Sequence, residues 1–278
     1  MKILLTNDDG YRAQGLQVLV DLMRPYGDLT IVAPKYHQSG MSMAVSMGLK
    51  PIAVKQLTDN PKESWWYVDA TPASCVKWAL DEIFIDEAPD ILISGINHGA
   101  NTAAAALYSG TLGAAQEAAL AGIPAIGVSL DNMSLNADFT PVKELFPQIF
   151  EKLRRIYSKK FGTYYNVNFP DLPAAQTKGV RICHQGIVRW EKEFVPFDER
   201  IFTRLGLSPL DMGIIGFPKV EPGEKVYYMA GDLTDSKRNI EPADHHQVAN
   251  GFVTITAHNI DSTDYGEISR LRKLDFEV

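Results

Sequence analysis

Met1-Lys-Ile-Leu-Leu-Thr-Asn-Asp-Asp-Gly10 decides the fold of this chain. Ile3, Leu4 and Leu5 form a short continuous apolar run, as in a strand buried on both faces of a parallel sheet. Asn7, Asp8 and Asp9 follow at its carboxyl end, the edge where ligands bind in open α/β sheets, and Gly10 frees the backbone to turn sharply there. Two adjacent ionised acids repel each other, so either they point apart or something positive lies between them. Their oxygens, with that of Asn7, are hard donors suited to Mg, Ca or Mn. The competing reading is a solvated turn, for which Asn-Asp-Asp-Gly is equally good chemistry. A nucleotide-binding loop would place glycines here, so that amides approach a pyrophosphate. The first turn has no GxGxxG, and no GxxxxGK occurs anywhere.

Outward from this stretch, strand and helix patterns alternate. Leu16, Leu19, Val20 and Met23 recur at helical spacing until Pro25-Tyr-Gly27, and Leu29 to Ala33 is a second buried strand ended by Pro34. A loop from Lys35 to Met43 carries Gln38-Ser39-Gly40. Thr71-Pro72 starts a helix that runs to about Ile85. Pro89 to Ser94 is a strand, Gly95 to Thr111 a small-residue loop, Leu112 to Ala121 a helix and Ile123 to Leu130 a further strand. Such alternation predicts an α/β fold with a doubly wound, mostly parallel sheet and right-handed crossovers. Apolar positions from Val142 to Tyr157 mark a long amphipathic helix over one face. From about Tyr164 the runs shorten (Tyr165 to Phe169, Val180 to His184, Val226 to Met229, Phe252 to Ala257), which suggests antiparallel additions. The chain is therefore expected to divide into a core over residues 1–170 and a β-rich extension over 171–278, both within one domain. Within the extension, Gln185 to Glu224 reads as an extended arm or a surface excursion.

With 278 residues, 45% hydrophobic and 22% charged, the composition is that of an ordinary soluble globular protein. A net charge of −7 argues against stable nucleic-acid binding, which needs a basic stripe. Arg154-Arg155 and Lys159-Lys160 are local pairs on a solvated helix face. Cys75 and Cys183 have no metal-binding spacing and read as buried free thiols. No secretory leader pattern and no membrane-length apolar run is present, so a cytoplasmic protein with no membrane association is expected.

Asn7-Asp8-Asp9, Gln38-Ser39-Gly40 and Ser94-Gly-Ile-Asn97-His-Gly each follow a predicted strand. A parallel sheet brings all three to one edge, so that carboxylates, a hydroxyl and an amide converge. Tyr108-Ser109-Gly110-Thr111 precedes a helix whose N-terminal amides and hydroxyls suit a phosphate, although Thr111 alone could be a simple cap.

Taken together, Asn7-Asp-Asp-Gly-Tyr11, Gln38-Ser-Gly40, Thr71-Pro72, Ser94-Gly-Ile-Asn97, Asn101 and Tyr108-Ser-Gly-Thr111 resemble the survival protein SurE family of metal-dependent nucleotidases in order and approximate spacing. The resemblance is close in the first half and looser to about His258. It implies a Rossmann-like core, an arm and swapped C-terminal segment in a homodimer or homotetramer, and hydrolysis of nucleoside 5′- or 3′-monophosphates. It also implies one divalent cation, Mg2+ or Mn2+, on Asp8, Asp9, Ser39 and Asn97. Asp8, Asp9 and Asn97 are then the catalytic residues, and Ser109, Gly110 and Thr111 bind phosphate. Thr102-Ala-Ala-Ala-Ala-Leu107 departs from the family, which usually has a glycine and polar or acidic residues there.

Direct attack by an aspartate would resemble aspartyl-phosphate enzymes, but those use Asp-x-Asp spacing, so an activated water is favoured. A non-catalytic nucleotide or metal sensor on the same fold is the alternative. It would be expected to lack a ligand or the Ser109-Gly-Thr111 turn, and none is missing. His98 could polarise a leaving group, His37 is expected on the loop surface, and His245-His246 line a substrate wall or solvate a loop. His184 and His258 are expected to be structural.

Overall fold

The computed structural model describes residues 1–48, 51–198, 200, 216–229 and 231–274. Its centre is a nine-stranded sheet of order β3-β4-β2-β1-β5-β6-β7-β13-β8. These strands are β1 (Lys2–Thr6), β2 (Asp28–Pro34), β3 (Val54–Asn60), β4 (Glu63–Val68), β5 (Ile91–His98), β6 (Ala125–Leu130), β7 (Thr163–Phe169), β8 (Val180–Cys183) and β13 (Val253–Asn259). Strands β4, β2, β1, β5, β6 and β7 run parallel. At one edge β3 pairs antiparallel with β4; at the other, β13 is antiparallel to β7 and parallel to β8. Chain order runs outward in both directions from β1 and β5, and that pair is the switch point where such sheets bind ligands.

The apolar run of β1 is continuous because both faces are covered. Ile3 and Leu5 face a cluster with Leu16 and Leu19 of helix α1 (Gln14–Met23) and Phe146 and Phe150 of α5 (Thr140–Ile156). Leu4 faces the opposite cluster, with Val76 of α2 (Pro72–Glu82) and Leu112 and Ala115 of α4 (Gly110–Leu120). Close packing is built into several contacts. A Cβ on Gly15 of α1 would lie 2.0 Å from the Ile96 carbonyl oxygen, and one on Gly113 of α4 would lie 1.8 Å from that of Ser42.

Helices α1 and α5 share one face while α2 and α4 share the other. The step from β1 to β2 and the step from β6 to β7 run in opposite directions along the sheet. With their helices on the same face, the two crossovers must differ in hand. Taking the usual right-handed sense for the first also makes β4-α2-β5 and β5-α4-β6 right-handed, so β6-α5-β7 is left-handed. The expectation of uniformly right-handed crossovers is corrected there.

Two other expectations change, and one element is new. Strand β7 is a further parallel strand, so on that edge the antiparallel additions are β8 and β13. Strand β5 continues past Ser94 to His98 with a register shift against β6 between Ser94 and Asn97, so Asn97 and His98 stand on a strand end. Gly95 allows this: at φ +142° it lies so close to β6 that a Cβ would be 2.3 Å from the Val128 carbonyl oxygen. The β3–β4 hairpin has no counterpart in the sequence reading, because β3 is an edge strand exposed almost throughout and shows no apolar alternation.

Beyond the sheet, β9 (Val188–Glu191) pairs with β12 (Asp232–Asp235), and β10 (Phe194–Pro196) with β11 (Tyr227–Met229). Strands β9 and β10 fall within the predicted arm, and their partners β12 and β11 follow it in the chain. The middle of the arm, with Phe202, lies outside the described residues. Both cysteines are free and buried, as expected. No helix among the described residues is long and apolar enough to cross a membrane.

Candidate active site

Asp8 and Asp9 lie just past the end of β1, both with buried side chains. The turn that carries them is held by Asn7: its amide donates to the Gly10 carbonyl (3.0 Å), and its Oδ1 accepts from the Gly10 N–H (3.2 Å). Asn7 is therefore a turn former rather than an open donor. From the next loop, the Gln38 N–H donates to the Asp8 carbonyl at 2.7 Å, and the Tyr11 N–H to that of Pro34 at 2.9 Å.

Asn97 reaches the same point from the end of β5. Its amide donates to the carbonyls of His98 (3.1 Å) and Gly99 (2.8 Å), which fixes the orientation of the side chain. Asn97 Oδ1 is left facing the Thr111 hydroxyl at 3.3 Å, and that hydroxyl donates to Asp8 Oδ1 at 2.6 Å. Asp8, Asn97 and Thr111 thus meet, although they come from β1, β5 and α4.

The N-cap of α4 is Ser109, whose Oγ accepts from the Leu112 N–H at 3.1 Å. Thr111 is in the first turn and does not cap the helix. The Gly110 and Thr111 N–H groups have no intrahelical acceptor, as first-turn amides never do. They stand beside Asp8: a Cβ on Gly110 would lie 2.8 Å from the Asp8 Cβ and 3.0 Å from its Oδ2. Only glycine lets the helix approach the carboxylate this closely.

Two histidines flank Asp9. His98 Nδ1 is 3.2 Å from Asp9 Oδ2 and His37 Nδ1 is 3.3 Å from Oδ1. Burial alone would raise the Asp9 carboxyl, but hydrogen bonds from His37 and His98 outweigh it and hold it below the usual carboxylate range. Asp8 is raised, first by burial and then by the charge of Asp9, against the Thr111 bond. The Asp9 hydrogen bond also pushes His37 upward. The expectation that His37 is plain loop surface is corrected, since its ring is one of two that hydrogen-bond the Asp9 carboxylate. His98, buried edge-on against Phe139, has its Nδ1 committed to the same carboxylate.

Ser39 is exposed, one residue beyond the Gln38 that binds the Asp8 backbone. Its loop is fixed further along by Ser42, whose N–H and hydroxyl donate to the carbonyls of Tyr108 and Leu107, both at 2.8 Å.

A buried amide network, not anticipated from the sequence, holds the loop between Asn97 and α4. The Asn101 N–H donates to Asn168 Oδ1 (2.7 Å), its amide to Ser129 Oγ (2.9 Å), and the Asn166 amide to the Asn101 carbonyl (2.7 Å). Asp244, fully buried, accepts from the Ala103 N–H at 3.0 Å. The available signal was a pair of asparagines alternating with Val167 and Phe169 on a predicted strand, which is odd for an apolar core. His258 stacks on Tyr164 at 5.1 Å, and His184 bonds the Gln185 carbonyl, the structural parts expected of them.

Two buried carboxylates and an orientated amide oxygen form an all-oxygen donor set with excess negative charge, which suits a hard divalent cation. The space that a Cβ on Gly110 would fill lies against Asp8 Oδ2, beside amides that suit an anion.

The family model described as Survival protein SurE matches residues 3–192. The chain belongs to this family. Among SurE relatives, the 5′-nucleotidase SurE of Christiangramia forsetii is 35% identical over 271 residues, spanning 97% of this chain and 95% of the relative. That of Bacteroides thetaiotaomicron is 34% identical over 273 residues, spanning 97% and 94%. The crystal structure of the SurE protein from Aquifex aeolicus superposes with a TM-score of 0.76 at 26% identity, covering 98% of each chain. The α/β fold is thus the SurE fold.

Proposed function

We propose that this protein is a 5′-nucleotidase, a phosphomonoesterase that releases phosphate from nucleoside 5′-monophosphates and also accepts 3′-monophosphates, with one divalent cation, Mg2+ or Mn2+, held by Asp8, Asp9, Asn97 and Ser39. The observation that carries this reading is the meeting of Asp8, Asn97 and Thr111 against the first turn of α4. Names of relatives that span nearly the whole chain support it.

When bound, the cation supplies a Lewis acid for a phosphate oxygen and lowers the pKa of a water. The Gly110 and Thr111 amides and the Ser109 hydroxyl bind the phosphoryl oxygens and stabilise the charge that develops on them. Thr111, through its hydroxyl, orients Asp8 and Asn97. His98 and His37 fix the rotamer of Asp9 and keep it ionised. Charge on Asp8 and Asp9 repels an unaccompanied phosphate, so binding requires the cation first.

The exposed apolar residues of the ribbons, Phe194 and Met229 among them, support an arm that packs against another subunit in a homodimer or homotetramer.

Asp8→Asn and Asp9→Asn test the site, because each removes a charge with little change of shape. Each is expected to lower kcat/KM by on the order of 10²-fold or more and to weaken Mg2+ or Mn2+ binding in calorimetry, with an unchanged far-UV spectrum. Full activity in both variants would leave the non-catalytic sensor as the better reading of the fold.

A further inference from the structure

A second cluster of metal-ligating side chains lies away from the carboxylates. Asp235 at the end of β12 and His245 and His246 in the helix Asp244–Ala249 each present a ligand atom, and these atoms all lie within 4.8 Å of one another. His246 Nε2 is 2.7 Å from Asp235 Oδ2, and His245 Nε2 is 3.3 Å from Oδ1. Adjacent residues on a helix ordinarily diverge, yet these rings stand 4.1 Å apart by centroid and turn the same nitrogen toward one carboxylate.

The opposite nitrogen of His246 is also occupied. His246 Nδ1 is 2.5 Å from Glu241 Oε1, whose other oxygen accepts from the Gln247 amide at 2.7 Å. His245 Nδ1 lies 3.5 Å from Asp244 Oδ1, within ion-pair range but without a good hydrogen bond. The Asn239 amide donates to Asp235. Gly186 makes room for the His245 ring, because a Cβ there would lie 2.2 Å from Nδ1.

Two imidazoles turn Nε2 inward, and His246 is backed at Nδ1 by the Glu241 carboxylate, the way proteins orient histidine ligands. We propose that Asp235, His245 and His246 form a second metal site, built for a borderline divalent ion such as Zn2+ rather than for Mg2+. Imidazole nitrogens select for such ions, and two of them with one carboxylate leave a fourth tetrahedral position open. Three carboxylates around two imidazoles give the cluster excess negative charge once the rings are neutral. A cation inserted among the three ligand atoms takes up that charge.

The placement gives the site a structural consequence. Asp235 belongs to the β9–β12 ribbon, whereas the histidines belong to the helix that starts at Asp244. Asp244 accepts from the Gly186 N–H at 2.9 Å and from the Ala103 N–H at 3.0 Å. A bound ion therefore ties the root of the arm to the helix that holds the loop after Asn101.

Co2+ titration of the full chain tests this, because a tetrahedral site with imidazole ligands absorbs visible light far more strongly than an octahedral oxygen site. In Asp8→Asn protein, one equivalent of Co2+ should give the intense tetrahedral band, and Zn2+ should displace it and raise Tm. His246→Gln and, separately, Asp235→Asn should each weaken Co2+ binding at least about 10-fold. Asp235→Asn, at an exposed strand end, keeps the test valid if the helix variant fails to fold. No tetrahedral band in Asp8→Asn protein, or a band that survives both substitutions, would overturn the site and leave only ion-paired histidines.

Discussion

Thr111 shows how one hydroxyl can matter twice. It sits in the turn proposed to bind a phosphate, but its own hydrogen is given to Asp8, 103 positions away in sequence. Thr111→Val keeps the shape and removes the donor, so Asp8 and Asn97 lose their common partner. Loss of such an orienting contact typically costs 10- to 100-fold, so the Mg2+ concentration for half-maximal activity should rise by about that factor. Unchanged metal dependence would mean that Asp8 is held well enough by the Gln38 N–H on its backbone. Gly110 gives a second prediction at this scale. Its missing Cβ would press on Asp8 at 2.8 Å, so Gly110→Ala should cost about 1–3 kcal/mol in a thermal melt and displace the carboxylate. Activity should fall on the order of 10-fold or more. Asp8, Asp9 and Asn97 were legible in the sequence because each follows a buried run. The partners Thr111 and His37 find were not, since those contacts exist only once separate elements meet.

Among elements, β1 and α4 were readable because burial writes itself into a strand as a continuous apolar run and into a helix as a small-residue surface. The extension of β5 to His98 was hidden, since Gly95-Ile-Asn97-His looks like loop chemistry. What makes it a strand is the close approach of Gly95 to β6. Gly15 fixes α1 in the same way against the Ile96 carbonyl at the switch point. Gly15→Ala would drive α1 away from β5 and should destabilise the fold by about 1–3 kcal/mol, read as a lower Tm. A wild-type Tm would show that the helix can shift without cost. The arm was legible only as a segment whose aromatics had no core to join. Phe194 is 70% exposed and Met229 69%, which is unusual for a chain that does not associate. Deleting Glu191 to Leu207 should therefore give a smaller mass in light scattering while leaving divalent binding at Asp8 and Asp9 intact. The same mass after deletion would place assembly on another face.

For the whole molecule, the sheet order brings four separate stretches of sequence to one edge: the ends of β1 and β5, the loop after β2 and the start of α4. The doubly wound plan follows from alternation in the sequence, whereas the left-handed β6-α5-β7 crossover does not. Hand depends on which face a helix covers, and an amphipathic stripe on α5 fits either face equally. The convergence at the switch point makes one claim above all, that chemistry at Asp8 and Asp9 needs a hard divalent cation to bring a phosphate there. Phosphate release from a panel of nucleoside monophosphates, by metal-stripped protein with and without Mg2+ or Mn2+, tests it most directly. Release should be near background without metal and return by on the order of 10²-fold or more on adding it, highest on 5′-monophosphates. Equal release with and without metal, or none in either case, would contradict the account.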